Sequence, residues 1–346
     1  MMETKNVNQT INLLKLIASF FVVFIHVPFP GVIGKIADCT ARFAVPFFFI
    51  VSGYYSYNVP ISRIKPRIIK LFKIFVCSII ASGIIQLYEC LFISQKDISY
   101  FLTYYLNKPR IFQLVTLGGT LFSPIGRHLW YLHAIIVVYC LYILYRLLKN
   151  KLKMKSYLSF YLVSMILFTI MFILSLIYGK NNDVVHLYHY RNAYLFGMPL
   201  FSIGHFIKDA NMKEKLKNVK NYQLIFFVLF SNFFALIQYK YLGKTDLPMG
   251  SLFVAIFIFM LCIKNPLLSS KRLGSMSVKY FDRLSLLIYL IHTFVQFFLY
   301  QGFNINPYFF PLVVIIVSFG LSVSYLYLRE IVYMVGPLIC SIIKLN

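Results

Sequence analysis

Two ionisable side chains lie inside long apolar runs near the start of the chain. His26 belongs to NLLKLIASFFVVFIHVPF, and Arg42 is near the start of ARFAVPFFFIVSGYY. An ionisable group in hydrocarbon costs several kcal/mol unless it faces a polar interior, so both residues are functional candidates. An imidazole exchanges protons near pH 7, whereas a permanently charged guanidinium requires an anion, a group of carbonyls or a water-filled cavity.

The composition identifies the class of protein that must position these side chains. Of the 346 residues, 60% are hydrophobic and 13% are charged, which excludes a soluble globule with one apolar core. The apolar runs are long and continuous, so they predict helices rather than barrel strands. We predict an all-α, polytopic membrane bundle with about ten transmembrane helices, near 11–28, 41–58, 74–94, 129–148, 157–178, 192–207, 221–240, 249–263, 284–301 and 309–329. The sixth and eighth are short for a span of roughly 20 residues.

The net charge of +24 is distributed as a topology signal. Lys and Arg concentrate in four segments, 63–73, 146–155, 208–220 and 264–283, that fall on alternate sides of the predicted spans. The positive-inside rule therefore predicts that these segments and both termini are cytoplasmic. A soluble basic face with interleaved aromatic residues, as nucleic-acid binding requires, is absent, and the scattered cysteines predict no metal site. We expect residues 1–346 to form a single membrane domain with no C-terminal extracytoplasmic domain.

Polar residues of the first span share one helix face. At 100° per residue, Asn12, Lys15, Ser19 and His26 fall in a narrow sector, and Lys15 and His26 are separated by about 16 Å of rise. The alternative is that Lys15 extends to the headgroups and His26 bonds a neighbouring carbonyl. Four aligned residues favour a face that looks inward. Similar stripes occur in two later spans: Ser285, Tyr289, His292 and Gln296, and Arg191, Ser202 and His205.

The chain resembles the membrane-bound acyltransferase-3 family. The resemblance rests on NLLKLIASFFVVFIH with ARFAVPFFFIVSGYY, and on the later segments HLWYLHAIIVVY, RNAYLFGMPLFSIGHFI and SLLIYLIHTF. It implies a ten-helix bundle that takes an acyl group from cytoplasmic acyl-CoA and delivers it to an outward-facing hydroxyl. Many members have arginine at the position of Lys15. Lysine keeps the positive charge but cannot form the two parallel hydrogen bonds of a guanidinium. Similar segments also occur in the membrane domain of vancomycin-resistance serine racemases.

The resemblance, together with the chemistry of acyl transfer, assigns roles to these residues. His26 would act as the base for the acceptor hydroxyl or as an acyl-carrying nucleophile, and Arg42, with Ser52 or Tyr54, would stabilise the oxyanion. Lys15 would attract the thioester end of the donor, and Arg63, Lys65 and Arg67 its phosphates. The predicted acceptor or cavity-lining residues are Ser52, Tyr54, His128, Trp130, Arg191, Tyr289 and His292. For Trp130 and Tyr131, an interfacial aromatic belt is the favoured alternative.

We therefore predict an O-acyltransferase of the bacterial cytoplasmic membrane that acetylates a cell-surface carbohydrate. It would use acyl-CoA as donor substrate, hold no tightly bound cofactor and bind no nucleic acid. Its expected partners are a surface glycan or lipid-linked saccharide, the bilayer and separate polysaccharide-synthesis proteins.

Two other classes stay open at this point. A carrier for serine or another small polar solute would also use a cavity lined by Lys15, His26, Arg42 and His292, although no inverted repeat is visible. A lipid-scrambling or structural partner in polysaccharide export would explain the basic rims but not the aligned histidines.

Overall fold

The computed structural model describes residues 7–117, 122, 125–179, 190–243, 245 and 247–343, and this part of the chain contains helices and turns without β-strands. Eight helical segments within it are long and apolar enough to cross a membrane. The predicted all-helical, polytopic bundle is therefore confirmed. The helices are α1 (Gln9–His26), α2 (Gly31–Ala41), α3 (Ala44–Tyr54), α4 (Ile61–Tyr88), α5 (Ile98–Tyr105), α6 (Lys108–Leu117), α7 (Trp130–Lys151), α8 (Leu158–Gly179), α9 (Met198–Asp209), α10 (Met212–Lys215), α11 (Asn221–Leu242), α12 (Met249–Lys264), α13 (Lys271–Met276), α14 (Asp282–Gly302) and α15 (Phe310–Ile343).

Each of the ten predicted spans overlaps a helical segment. Within the described chain, eight of these segments are long enough to cross a membrane, the second only when α2 and α3 are taken together as Gly31–Tyr54, and the sixth and eighth are shorter. The sixth consists of a π-helical turn, Ala193–Gly197, followed by α9, and the eighth is the 16-residue α12. Neither α9 nor α12 reaches the roughly 20 residues that cross hydrocarbon without thinning or tilt. The segment 29–41, expected as a connection, contains α2, and the basic segment 63–73 is the first part of α4 rather than a loop.

Asparagine side chains cap two of the elements that carry site residues. Asn8 Oδ1 accepts a hydrogen bond from the Ile11 amide at 2.9 Å, which satisfies one of the free donors at the start of α1. Asn192 Oδ1 accepts from the amides of Tyr194 and Leu195 and starts the π-helical turn before α9. These caps determine the residue at which α1 begins and the residue at which the π-helical turn after Arg191 begins.

Helices α3 and α9 cross in backbone contact through two glycines. A Cβ atom on Gly204 would lie 1.8 Å from the Ile50 carbonyl oxygen, and one on Gly53 would lie 1.8 Å from that of Phe201. Small residues allow two helices to approach this closely. Close packing of this kind drives helix association in a bilayer, because lipid is as apolar as the buried side chains and burial alone gives no driving force.

The basic segments gather at one end of the bundle. Each basic segment makes polar or cation–π contacts with the end of α3 or the chain just after it, with another basic segment, or with the start of α1. These contacts are Arg67 to the Tyr55 carbonyl, Arg146 to the Val59 carbonyl, Lys208 to the Tyr54 ring, Lys264 to the Val219 carbonyl, and the Gln9 amide to the Pro266 carbonyl. A common end is what the positive-inside rule requires of cytoplasmic segments.

Candidate functional site: a histidine cluster beside a cationic cavity

The polar face of α1 packs against α14 and the turn before it. Asn12 Nδ2 donates to the Ser277 carbonyl at 3.2 Å, and Lys15 Nζ lies 2.7 Å from Asp282 Oδ1. The Ser285 hydroxyl donates to the Lys15 carbonyl at 2.9 Å. The stripe predicted on α1 therefore faces inward, and its partner is the stripe predicted on the ninth span.

Three histidines from distant parts of the sequence meet at the end of this interface. The ring centroid of His26 lies 5.2 Å from that of His292 and 6.2 Å from that of His128, and the last two are 5.0 Å apart. His26 is the last residue of α1, His128 precedes α7, and His292 lies in the middle of α14. We call His26, His128 and His292 the histidine cluster. Within the described chain, no group of His, Cys, Asp and Glu has the arrangement of a metal site.

Backbone carbonyls lie within hydrogen-bond reach of one nitrogen in two of these rings. His292 Nδ1 lies 3.1 Å from the Ile288 oxygen, and His128 Nδ1 lies 3.2 Å from the Ile125 oxygen. A carbonyl only accepts, so the neutral His292 ring carries its proton on Nδ1 and a lone pair on Nε2. In His128 the Thr293 hydroxyl also lies 3.3 Å from Nδ1 and could donate to it. Both Nε2 atoms are buried and have no hydrogen-bond partner among the residues that the structure describes.

Two arginines lie on the segments that adjoin the cluster. Arg127 lies in the 3₁₀ turn that also contains His128, and Arg191 directly precedes the capping residue of the turn before α9. Fixed positive charge is thus located beside the cluster, where an oxyanion would require it.

A cavity of about 470 Å³ lies between α1, α3, α4, α7 and α14. Its mouth contains Lys15, Arg67, Lys70 and Asp282, so the entrance carries a net positive charge. Farther in, the wall becomes aromatic and aliphatic. The residues of that part include Phe48, Leu132, Ile135, Tyr131, Tyr139 and Tyr289.

Tyr289 separates the cavity from the histidine cluster. It lines the cavity, its hydroxyl donates to the His128 carbonyl at 2.6 Å, and its ring centroid is 5.2 Å from that of His128. Tyr131, also in the wall, packs on it at 5.8 Å. The inner wall of the cavity and the cluster are therefore one side chain apart at their nearest point.

Of the three residues on α4 predicted to bind donor phosphates, Arg67 is in the cavity wall. Arg63 lies one turn earlier on the same face but is exposed beyond the mouth, and Lys65 points to a different face. Sequence reasoning missed Lys70, which follows Arg67 by three residues and lines the mouth. The spacing Arg67, Lys70, Leu71 and Ile74 is that of one helix face, and this signal was available in the sequence.

The SGYY segment contributes to the cavity through different residues than expected. Ser52 lines it, as does Tyr55, which the sequence analysis did not select. Tyr54 instead packs against Phe259 in the hydrophobic core, at a centroid distance of 5.1 Å, with Lys208 over its ring. A one-residue difference changes the direction of a helical side chain by 100°, so only the packing of α3 decides between the two tyrosines.

Arg42 forms a buried ion pair. Its Nη2 atom lies 2.8 and 3.2 Å from the two carboxylate oxygens of Asp38, which is four residues earlier at the end of α2. Arg42 does not line the cavity. Asp38 was also missed, although in a chain with ten acidic residues it is an evident partner for a guanidinium one turn away.

Trp130 and Arg191 lie together beside the start of α7. The Arg191 guanidinium is 5.2 Å from the centroid of the Trp130 ring, and Phe196 packs on the same indole at 5.5 Å. Trp130 is buried, so its ring faces are occupied by protein rather than by the membrane interface.

These observations define an integral membrane helix bundle with a buried histidine cluster beside a cationic cavity. The acyltransferase domain of the acyltransferase-3 family matches residues 8–329, which include every residue of the histidine cluster and the cavity. The chain therefore belongs to the acyltransferase-3 family, and it is a multi-pass membrane acyltransferase that transfers groups other than aminoacyl groups. No curated protein and no solved structure gives a significant match.

Proposed function

We propose that this acyltransferase is an O-acyltransferase of the bacterial cytoplasmic membrane. It would move an acyl group, for which we expect acetyl, from cytoplasmic acyl-CoA to a hydroxyl of a cell-surface carbohydrate. The observation that carries the proposal is the cavity with a cationic mouth that ends at Tyr289, against the histidine cluster.

The cavity has the charge and size to accept such a donor. Coenzyme A carries its phosphates at one end and its thioester at the other, on a long flexible arm. Lys15, Arg67 and Lys70 form a mouth suited to phosphates, and about 470 Å³ lies within the range of about 300–1,000 Å³ typical of ligand pockets. With the phosphates at the mouth, the thioester would lie near Tyr131 and Tyr289.

His26 would then carry the chemistry. Lys15 and His26 are separated by three turns of α1, about 16 Å, so the two ends of the donor path are held by one rigid helix. Acyl transfer requires removal of the hydroxyl proton, for which a neutral imidazole is suited, and His26 acts as this base or as a transient acyl carrier. Arg127, next to His128 in the 3₁₀ turn, and Arg191, whose guanidinium lies 5.2 Å from the Trp130 ring, would supply positive charge near the developing oxyanion. The carbohydrate acceptor and the bacterial membrane rest on the family resemblance.

The test compares surface glycans from cells that produce the native chain, His26→Ala or His133→Ala. His133 is a matched control, because it is a buried histidine of α7 that packs on Phe75 outside the cluster. We expect His26→Ala to abolish ester-linked acyl groups, measured by mass spectrometry, while the protein still inserts, and His133→Ala to retain them.

Uptake of labelled serine is measured in the same cells. Glycans that stay esterified in His26→Ala cells, together with a loss of serine uptake, would contradict the proposal and favour a carrier.

A further inference from the structure

Buried imidazoles in the described part of the chain differ in how many of their ring nitrogens are hydrogen-bonded: one nitrogen has no partner in His128, in His292 and, outside the cluster, in His133. His205, equally buried near the end of α9, uses both ring nitrogens: Nε2 lies 2.9 Å from the Tyr142 hydroxyl and Nδ1 lies 2.8 Å from the Tyr161 hydroxyl. His292 is 0% exposed, yet its Nε2 has no partner in the described part of the chain. A buried acceptor without a hydrogen bond is unfavourable, so a function for it is expected.

The positions of His26 and His292 allow a direct proton transfer. Two imidazole rings joined edge to edge by an N–H···N hydrogen bond of about 2.9 Å have centroids close to the 5.2 Å observed here. The bond itself is not made in the described part of the chain, where the two ring planes are inclined at 45° to each other. Such contacts are often loose in a free enzyme and tighten when substrates bind.

The two rings differ in access. His26 is partly exposed at the end of α1, whereas His292 is sealed behind it and held by its Nδ1–H donor to the Ile288 carbonyl. His26 can therefore contact substrates, and His292 can contact His26. This is the arrangement of a reacting group backed by a second group that an additional hydrogen bond orients.

We propose that His292 Nε2 is a second proton acceptor that acts through His26. This inference rests on the proposed function. The acceptor oxygen forms its bond to the acyl carbon as its proton passes to one nitrogen of His26. The N–H proton on the other nitrogen of His26 passes to His292 Nε2. The C–S bond breaks, and the thiolate leaves through the cavity and takes a proton from the cytoplasmic solvent. His292 later returns its proton to water through His26.

His292 is assigned this role rather than His128 for two reasons. Its ring is 1.0 Å nearer to His26, at 5.2 Å against 6.2 Å. In addition, His128 Nδ1 has two oxygens in reach, the Ile125 carbonyl at 3.2 Å and the Thr293 hydroxyl at 3.3 Å, whereas the ring of His292 is oriented by the Ile288 carbonyl of its own helix.

The experiment replaces His292 by Asn, whose amide can still donate to the Ile288 carbonyl but has no atom at the Nε2 position. His292→Gln is the second variant, because its amide reaches the Nε2 position and accepts a hydrogen bond without taking up a proton. His133→Asn is the matched control. Each full-length protein is tested with two acceptors: surface glycan hydroxyls in cells, and hydroxylamine with acetyl-CoA and purified protein, where release of coenzyme A is measured against a blank without protein. Thermal melting verifies that each variant is folded.

We expect folded His292 variants to lose about 10²–10⁴-fold in glycan esterification, the usual contribution of a proton-transfer group. Their reaction with hydroxylamine, a strong nucleophile that needs no base, should stay within about threefold of wild type, with an unchanged KM for acetyl-CoA. Unchanged glycan esters, or equal losses with both acceptors in folded protein, would overturn the inference and leave the proposed function standing. A wild-type protein that is inactive with both acceptors, with acetyl-CoA and longer acyl-CoA donors, would overturn both.

Discussion

The Arg42–Asp38 pair brings two full charges together inside the bundle. The side chains of Arg42 and Asp38 are 8% and 5% exposed. Because water screens little of this interaction, removal of one partner leaves an uncompensated charge and typically destabilises a protein by about 3–5 kcal/mol, whereas removal of both is often close to neutral. A comparison of single and double variants of this pair therefore distinguishes a structural contribution of Arg42 from a chemical one.

We predict that Arg42→Ala lowers the melting temperature of the solubilised protein strongly and that the double variant Asp38→Ala/Arg42→Ala recovers most of the loss. If Arg42 also stabilises the oxyanion, as the sequence predicts, acyl transfer by the double variant stays lost. Melting curves and coenzyme A release are measured on the same samples. A double variant that regains both stability and activity would show that Arg42 acts only through the fold.

At the scale of elements, α4 explains how one basic segment serves two purposes. Its first three turns carry Arg63, Lys65, Arg67, Lys70 and Lys73, which the positive-inside rule explains by topology alone. Only the face that contains Arg67 and Lys70 borders the cavity. The angular position of each charge about the helix axis, and not its presence, distinguishes donor binding from topology.

We expect Arg67→Gln to raise the KM for acetyl-CoA by about tenfold, because a charge-assisted contact to phosphate contributes about 1.5 kcal/mol or more. Lys65→Gln removes the same charge from another face of α4 and should leave KM within about twofold. Initial rates over a range of donor concentrations measure both. Equal effects of the two substitutions would indicate that only the overall charge of the segment matters.

The close crossing of α3 and α9 also belongs to the scale of secondary-structure elements. We predict that Gly204→Ala prevents normal packing, since its Cβ would overlap the Ile50 carbonyl oxygen, and that folded yield in detergent falls sharply. Gly320→Ala is the control: its Cβ meets no atom of the described chain within 4 Å, and alanine favours a helix interior by up to about 1 kcal/mol. Size-exclusion chromatography reports both yields. Normal yield of Gly204→Ala would contradict the close backbone contact.

At the scale of the whole molecule, the basic segments lie at one end of the bundle, and the histidine cluster lies farther along α1, level with the middle of α14. α1 runs from the basic end to the cluster, because Lys15 is beside Asp282 and the cavity mouth whereas His26 ends the helix among His128 and His292. Acyl transfer from one side of a membrane to the other requires the donor entrance and the acceptor site to lie at different depths in the bilayer.

The predicted sidedness is tested by labelling two introduced cysteines. Asn304→Cys lies just after α14, at the end of that helix away from the basic segments. Lys155→Cys lies between α7 and α8, in a basic segment. Both positions are exposed. We expect a membrane-impermeant maleimide to label Asn304→Cys in intact cells and Lys155→Cys only after permeabilisation. The reverse pattern would invert the orientation and place the cationic mouth outside the cell.

The sequence by itself determined the membrane class, the approximate helix positions, and the inward face of Asn12, Lys15, Ser19 and His26. These features depend on local properties: the length of apolar runs set by hydrocarbon thickness, and the angular period within one helix. It also selected His128 and His292 individually.

Only the tertiary structure decided that these histidines meet at His26, that Arg42 binds Asp38, and that Tyr55 rather than Tyr54 lines the cavity. The period of a helix fixes which of its residues share a face but not which neighbour that face meets. That choice depends on the rotation of each helix about its own axis and on the crossings between helices, such as the glycine contact of α3 with α9, which are set by packing between segments distant in the chain.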